Sequence, residues 1–231
     1  MTVVTSPSQR GRGPEHLRLQ RFDQRAADIL AVPPQRGATR IVAVDGGSAA
    51  GKSTFARRLA GALGATVVHT DDLAWWESFF GWWPLLIDGV LEPLQTGRSV
   101  SYRPPAWEHR QREGAVVAAA GPAVVVEGVG AGRRELSDYL DHLVWVDTDR
   151  QLAYDRGMAR PGEDAAFWRE WELEEEAHLD ADRPWERADL LVSNDPPPPP
   201  EPEGQFRVIA AATWRREDRP SGRDPGPATG R

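Results

Sequence analysis

A single lysine stands among the 28 Lys and Arg residues of this chain, and it falls in Gly46-Gly47-Ser48-Ala49-Ala50-Gly51-Lys52-Ser53. Every other basic residue is arginine. The spacing is G-x-x-x-x-G-K-[ST], a phosphate-binding loop. Its glycines let backbone N–H groups turn toward phosphate oxygens. The compact ammonium of Lys52 reaches between β- and γ-phosphates, where a planar guanidinium fits badly. The Ser53 hydroxyl is placed to ligate Mg²⁺, and Thr54 continues the nucleotide-binding run into a helix. That helix turns its positive end toward the phosphates. A glycine-rich turn that binds nothing is the alternative.

Two acidic segments can complete such a site. His69-Thr70-Asp71-Asp72 ends an apolar stretch, and Asp71 is placed to take a proton from an attacking hydroxyl or to hold Mg²⁺ through water. Asp72 points the other way if the segment is extended. Both serve equally well as helix caps. Val124-Val125-Val126-Glu127-Gly128 puts a carboxylate after a β-branched run, where a metal held by Ser53 needs support. Farther on, Arg156 and Arg160 are four apart and share a helical face. On a mobile segment they neutralise charge on a transferring phosphoryl group, and on a static one they form a salt-bridged surface. Arg169 is a weaker candidate of the same kind. Glu170, Glu172, Glu174, Glu175 and Glu176 read as a solvated helix face.

The elements that must position these residues are visible as apolar runs. Strands are expected near 40–45, 66–70, 123–127, 142–147 and 189–193, separated by helical stretches, which predicts an α/β fold with a parallel sheet. Phe55, Leu59, Ala62 and Leu63 recur at helical spacing behind the loop. Residues 15–31 are expected to be an outer helix, with Leu17, Phe22, Ile29 and Leu30 as its apolar points. Thr148 or Asp149 can cap the helix after the fourth strand. Residues 1–14 are Ser-, Pro-, Gly- and Arg-rich and expected to be disordered. The proline run 196–200 closes the domain as polyproline II. In the tail 196–231, residues 206–210 can add an edge strand.

Trp75, Trp76, Phe79, Phe80, Trp82 and Trp83 follow Asp71 directly. They either stack a flat substrate ring or pack a lid or dimer contact. The loop Ser101 to Arg110 offers Tyr102, Trp107 and His109 as contacts to an acceptor's hydroxyl groups; an ordinary structured loop is the alternative. Asp72 and Trp75 belong with them as candidate substrate residues.

Composition excludes several classes. The formal net charge is −7 without a block of basic residues, so nucleic acid is not the expected partner. There is no cysteine, which removes disulfides, thiolate chemistry and Cys-ligated zinc. No apolar stretch approaches the ~18 residues that span a bilayer, so no membrane partner is expected. The first residues lack a signal peptide's apolar segment, and a cytoplasmic location is the expectation.

These residues together resemble the uridine kinase-like branch of P-loop small-molecule kinases, in the P-loop NTPase superfamily. The resemblance covers about 40–195. It rests on Gly46–Ser53, Thr70-Asp71-Asp72, the Tyr102 to Trp107 loop, Val126-Glu127-Gly128, Val146-Asp147-Thr148-Asp149 and the Arg156/Arg160 pair. It implies a three-layer fold with a five-stranded parallel sheet in order 2-3-1-4-5 flanked by helices. It implies Asp71 as catalytic base, Glu127 in support of Mg²⁺, and Arg156 and Arg160 in a lid of about 156–180. The kinase domain would then run over 15–195. The acceptor loop departs from the family pattern: where Tyr-Asp-Phe is usual, Tyr102 is followed by Arg103 and Pro104, and His109 lies farther on. Leu73-Ala74 replaces an aromatic pair.

The expected activity is transfer of the γ-phosphate of ATP, with Mg²⁺, to a hydroxyl of a small metabolite, a nucleoside being one candidate. A regulatory ATP-binding protein without transfer activity is the alternative. A motor NTPase ranks last, since the chain is short and acidic and carries no Leu-Ser-Gly-Gly-Gln-like signature.

Overall fold

The structure is a computed structural model and describes residues 17–160, 165–194 and 204–209. In chain order its elements begin with β1 (Leu17–Arg21), α1 (Phe22–Ala31), β2 (Arg40–Gly46), α2 (Lys52–Leu63), β3 (Thr66–His69) and α3 (Thr70–Ala74). Then come α4 (Trp83–Leu86), a π turn (Ile87–Leu91), α5 (Glu92–Gln95), β4 (Val100–Tyr102), α6 (Pro105–His109), β5 (Val116–Ala118) and β6 (Ala123–Glu127). The last are β7 (His142–Asp147), α7 (Arg150–Met158), α8 (Ala165–Asp182), β8 (Leu190–Ser193) and β9 (Gln205–Ile209).

Residues 41–44 of β2 are apolar without alternation and fully buried, as a strand covered on both faces requires. Period two then sorts the sheet's side chains between two cores. Ile41, Ala43, Val124, Val126, Leu143 and Trp145 pack with the α4–α5 segment. Val42, Val44, Val125, Val144 and Val146 pack against α1 and α2. Phe22, Phe55 and Phe206 close the second core with centroids 4.7–5.2 Å apart. Of that order of aromatic area, burial stabilises by several kcal/mol, at roughly 25 cal/mol per Å².

The sheet runs β1-β9-β8-β7-β2-β6-β3, with β8 through β3 parallel. It therefore corrects the expected five strands to seven, because β9 and β1 extend the β8 edge antiparallel. The expected helix over 15–31 is likewise corrected. Residues Leu17–Arg21 form β1, paired Leu17↔Ile209 to Arg21↔Gln205, and only Phe22–Ala31 is helical. Leu17 and Leu19 are two apart, which is strand spacing, and the strand they need lies near the other end of the chain. The expectations for 1–14 and for 196–200 lie outside the described residues.

Parallel register sets the site. Val44 pairs with Glu127, Glu127 with His69, and Gly46 with Val146. Gly46, His69, Glu127 and Asp147 thus end their strands at one edge, where open α/β sheets bind ligands. A separate hairpin, β4 with β5, carries α6 and the Tyr102–Arg112 loop as its connection. Among the described residues no helix is long and apolar enough to cross a membrane.

Candidate active site

The glycine loop leaves β2 at Gly46, whose φ is 153°. A Cβ there would run into the Val146 carbonyl of the neighbouring strand. The loop needs glycine here because β7 is one strand spacing away. Ala49 holds φ 55°, a conformation rarely adopted by residues with a side chain. Gly51, at φ 96°, ends the loop as the N-cap of α2. The loop is tied from outside by Thr148 Oγ1 and Asn194 Nδ2, which donate to the Ala50 carbonyl at 3.0 and 2.8 Å. Lys52 is buried, and its Nζ donates back to the Gly47 carbonyl at 2.8 Å.

Behind the loop lies a residue whose part the sequence reading missed. Asp45 is fully buried. Its Oδ1 accepts from the amides of Gly46 (2.7 Å) and Gly130 (2.9 Å), its Oδ2 from Gly132 (2.9 Å). One carboxylate thereby clamps the turn after β6 to the root of the phosphate loop. Burial outweighs the pull of the three amides and Lys52 and leaves its carboxyl raised to about 6. The signal was present, since Asp45 ends an apolar run as Glu127 does.

The acidic groups meet at Lys52. Ser53 Oγ donates to Glu127 Oε1 at 3.1 Å, and Glu127 Oε2 lies 2.7 Å from His69 Nδ1. Burial alone would raise the Glu127 carboxyl, but His69, Lys52 and Ser53 hold it below its ordinary range. The same bond to Glu127 raises the His69 imidazole. Asp71 opens α3 on an exposed rim of the cleft. Partial desolvation lifts its carboxyl, Glu127 and Asp72 push the same way, and Lys52 and His69 oppose them. Among the described residues no group of three or more His, Asp or Glu side chains could hold a metal by itself. Mg²⁺ commonly takes only one or two protein oxygens and completes its shell from phosphates and water. The Ser53–Glu127 pair, with Asp71 nearby, fits that pattern.

The candidate acceptor residues divide. Asp72, Trp75 and Trp107 come together around Arg112, another residue the sequence reading passed over. Arg112 Nη2 donates to Asp72 Oδ1 at 3.1 Å, and its guanidinium lies 3.7 Å from the Trp107 ring centroid and 4.8 Å from that of Trp75. Trp107 Nε1 donates to the Asp72 carbonyl at 2.9 Å. Tyr102 packs instead beside Gly89 of the π turn, and His109 is exposed at the end of α6. Of the aromatic stretch, Trp82 is core, while Phe79 and Phe80 pack on Trp171 of α8 with centroids 5.3 and 5.6 Å away. Trp75 and Trp76 remain exposed.

The two arginines expected to act together over the phosphates differ in their surroundings. Arg156 Nη2 donates to the Asn194 carbonyl at 3.3 Å. It lines a cavity of about 380 Å³ beside Gly51 and Thr54, with Arg58, Asn194, Gln205, Phe206 and Arg207. Arg160 and Arg169 are exposed. Asp149 caps α7 by accepting from the Leu152 amide at 3.0 Å. Arg150, at the start of α7, lines a second cavity beside Gly47, Ser48 and Ala50 and is bonded to Glu176 at 3.1 Å. Nor is the acidic face of α8 wholly solvated: Glu175 Oε1 accepts from the Ser48 amide at 2.6 Å. Glu175 shares a helix face with Trp171 that is packed on the loop, which a count of acidic residues does not reveal.

No protein-family model and no curated protein matches the sequence. Among solved structures the chain is similar to a possible uridine kinase from Bacillus stearothermophilus, 21% identical over 74% of this chain and 96% of that one, with a TM-score of 0.49. It is also similar to a sugar kinase from Janibacter sp. HTCC2649, 17% identical over 69% of this chain and 87% of that one, with a TM-score of 0.42. These are likenesses of backbone arrangement only.

Proposed function

We propose that this chain is an ATP-dependent phosphotransferase that moves the γ-phosphate to a hydroxyl of a small metabolite. One arrangement carries the reading: Asp71 follows β3 at the sheet edge where β6 ends in Glu127 and β2 runs into the glycine loop, and it faces solvent in the field of Lys52 and Glu127. A pure binder has no need of a basic carboxylate there. Lys52 and the loop amides would hold the β- and γ-phosphates, releasing the Lys52–Gly47 bond. Mg²⁺, when bound by Ser53 and Glu127, neutralises phosphate charge. Asp71 would accept the acceptor's proton, and its raised pKa brings it closer to the working range of a general base. The cavity beside Thr54 and Arg156 suits the nucleotide base, with Asn194 and Gln205 as hydrogen-bonding groups. The acceptor belongs on the opposite side, near Asp72, Trp75, Trp107 and Arg112. A nucleoside fits the exposed tryptophans by stacking, and a sugar fits the polar groups.

A second reading, ATP binding without transfer, is favoured by Arg156, whose guanidinium is bonded to the Asn194 carbonyl. ADP release with Mg-ATP, measured over a panel of nucleosides, sugars and small alcohols, separates the two. An acceptor that raises ADP release above background supports transfer. Asp71→Asn should then keep ATP binding and lose roughly 10²-fold in rate, while Asp72→Asn loses much less. If no acceptor raises the rate and ATP still binds, the regulatory reading stands.

A further inference from the structure

Helix α8 lays Trp168, Trp171, Glu175 and His178 along one face, at spacings of three and four residues. Two bonds from that face end on Ser48 of the phosphate loop. Glu175 Oε1 accepts from the Ser48 amide at 2.6 Å, and Trp171 Nε1 donates to the Ser48 hydroxyl at 2.6 Å. The surroundings hold the helix in place. Phe80 stacks on His178 at 4.1 Å between centroids, and Phe79 meets Trp171 edge-on at 5.3 Å. Arg150 clasps Glu176, one residue on, at 3.1 Å.

An amide of a glycine loop is a phosphate donor, and a carboxylate oxygen has the charge and acceptor geometry of a phosphate oxygen. Glu175 also lies in the field of Lys52, as a phosphate would. The protein itself therefore already occupies part of the loop's donor set, through one amide, one hydroxyl and the lysine turned back onto Gly47.

We propose that α8 is a built-in competitor of the nucleotide: Glu175 stands in for a phosphate oxygen on Ser48, and a triphosphate seats fully only as Glu175 leaves. The inference rests on the kinase reading, since it takes a nucleotide triphosphate as the loop's ligand. Two anions cannot share the Ser48 donor, so each weakens the other's hold on the loop. Binding then loosens α8, and the loss of nucleotide lets it return. The cost appears in nucleotide affinity and not in the chemistry at Asp71.

Mg-ATP affinity measured by calorimetry on the full chain tests this, with Glu175→Ala, Glu175→Gln and Trp171→Phe beside the unchanged protein. Thermal melts establish that each variant folds. Glu175→Ala should bind Mg-ATP about tenfold more tightly, equivalent to about 1.4 kcal/mol. Glu175→Gln, which keeps an acceptor and loses the charge, should gain less, and Trp171→Phe less again. Hydrogen exchange gives the conformational readout. Mg-ATP should slow exchange over 46–53 and speed it over 171–178 in the unchanged chain. Weaker or equal binding by Glu175→Ala overturns the proposal, as does slower exchange of α8 with nucleotide. If both proteins bind equally, the competitor role alone has failed. If folded wild type and Glu175→Ala both ignore Mg-ATP, the kinase reading has failed and this inference with it.

Discussion

Between Gly46 and Ser53 the chain presents backbone, clamped from below by Asp45 and from the side by Thr148 and Asn194. Between Leu73 and Arg112 it presents side chains, clasped to one another: Arg112 against Trp107, Trp75 and Asp72, and Arg110 over Trp76 at 5.3 Å. The first region rests on a strand that is buried throughout except at the half-buried Arg40. The second rests on a two-stranded hairpin and helices of five residues or fewer. Phosphates are the same in every nucleotide, and a rigid ring of amides suits them. Acceptors differ, and side chains on short elements can be exchanged without disturbing the sheet. Under the proposed function, the difference would put chemistry in one half of the cleft and selectivity in the other.

The sharpest way to break this contrast is Gly46→Ala. The new methyl would collide with the Val146 carbonyl at a φ that side chains rarely adopt. Loop and strand would have to separate. We expect a loss of about 3 kcal/mol or more in stability, together with loss of the Mg-ATP-induced rise in melting temperature. A variant that melts normally and still shifts with Mg-ATP would mean the loop is not rigid. Gly81→Ala, in the aromatic segment, should melt within about 1 kcal/mol of the wild type, because the methyl meets chiefly the Ser78 hydroxyl, the far end of a small side chain.

Asp45 sharpens the same contrast through pH. Its carboxyl stands at 3.8 in the unfolded chain and about 6 in the fold. The protonated form is thus favoured by folding. Its contribution is fully present below about pH 4 and is lost as pH rises through 6. At about 1.4 kcal/mol per pH unit, the gap corresponds to about 3 kcal/mol between those limits. Asp45→Asn should abolish this component, so the stability difference between the two proteins changes across pH 4–6 and is flat outside it. Asn also offers one acceptor oxygen where Gly130 and Gly132 use two, so the variant should be less stable below about pH 4, with the deficit shrinking as pH rises through 6. Urea unfolding at pH 4, 5, 6 and 7 measures both effects. Parallel curves would show that Asp45 does not titrate in that window.

His69 carries a smaller, more local effect. Its ring holds one Glu127 oxygen at 2.7 Å and leaves the other to Ser53. His69→Ala should raise the Mg²⁺ concentration needed for tight ATP binding by roughly tenfold, the low end of what an outer-shell partner contributes. His69→Asn, which still offers a donor, should recover part of it. An unchanged Mg²⁺ dependence in the alanine variant would remove His69 from the phosphate half.

What could be read from the sequence follows the same division. The placement of Lys52, Ser53, Glu127 and Asp71 was legible because the first two close a glycine loop of fixed spacing, the acidic two follow apolar runs, and parallel strands bring their carboxyl ends to one edge whatever lies between. Pairings with no local signature were not. Strand β1 finds β9 across most of the chain, Glu175 reaches Ser48 over 127 residues, and Arg112 reaches Asp72 over 40. Leu17 adjoins a helical stretch that begins at Phe22, and only the partner strand decides that it belongs to β1. Arginine is this chain's ordinary cation, so nothing in its type marks Arg112 above its neighbours.

Arg112 is also where the smallest effect is expected, and where the division of labour is most exposed to test. The guanidinium lies over the Trp107 ring, 3.7 Å from its centroid, while one nitrogen bonds Asp72. Lysine cannot stack or fork in that way. Arg112→Lys should therefore loosen Trp75 and Asp72 and leave the glycine loop as it is. Mg-ATP affinity should not change, and kcat should fall little. The KM for the acceptor should rise a few-fold, on the scale of about 0.5–1 kcal/mol for a partly exposed cation–π contact. The measurement is an acceptor titration at saturating Mg-ATP, with ATP affinity determined separately. A change confined to ATP affinity would move Arg112 into the phosphate half. A large fall in kcat with KM unchanged would make it part of the transferring machinery, and the boundary between chemistry and selectivity would have to be redrawn on the Asp72 side of Asp71.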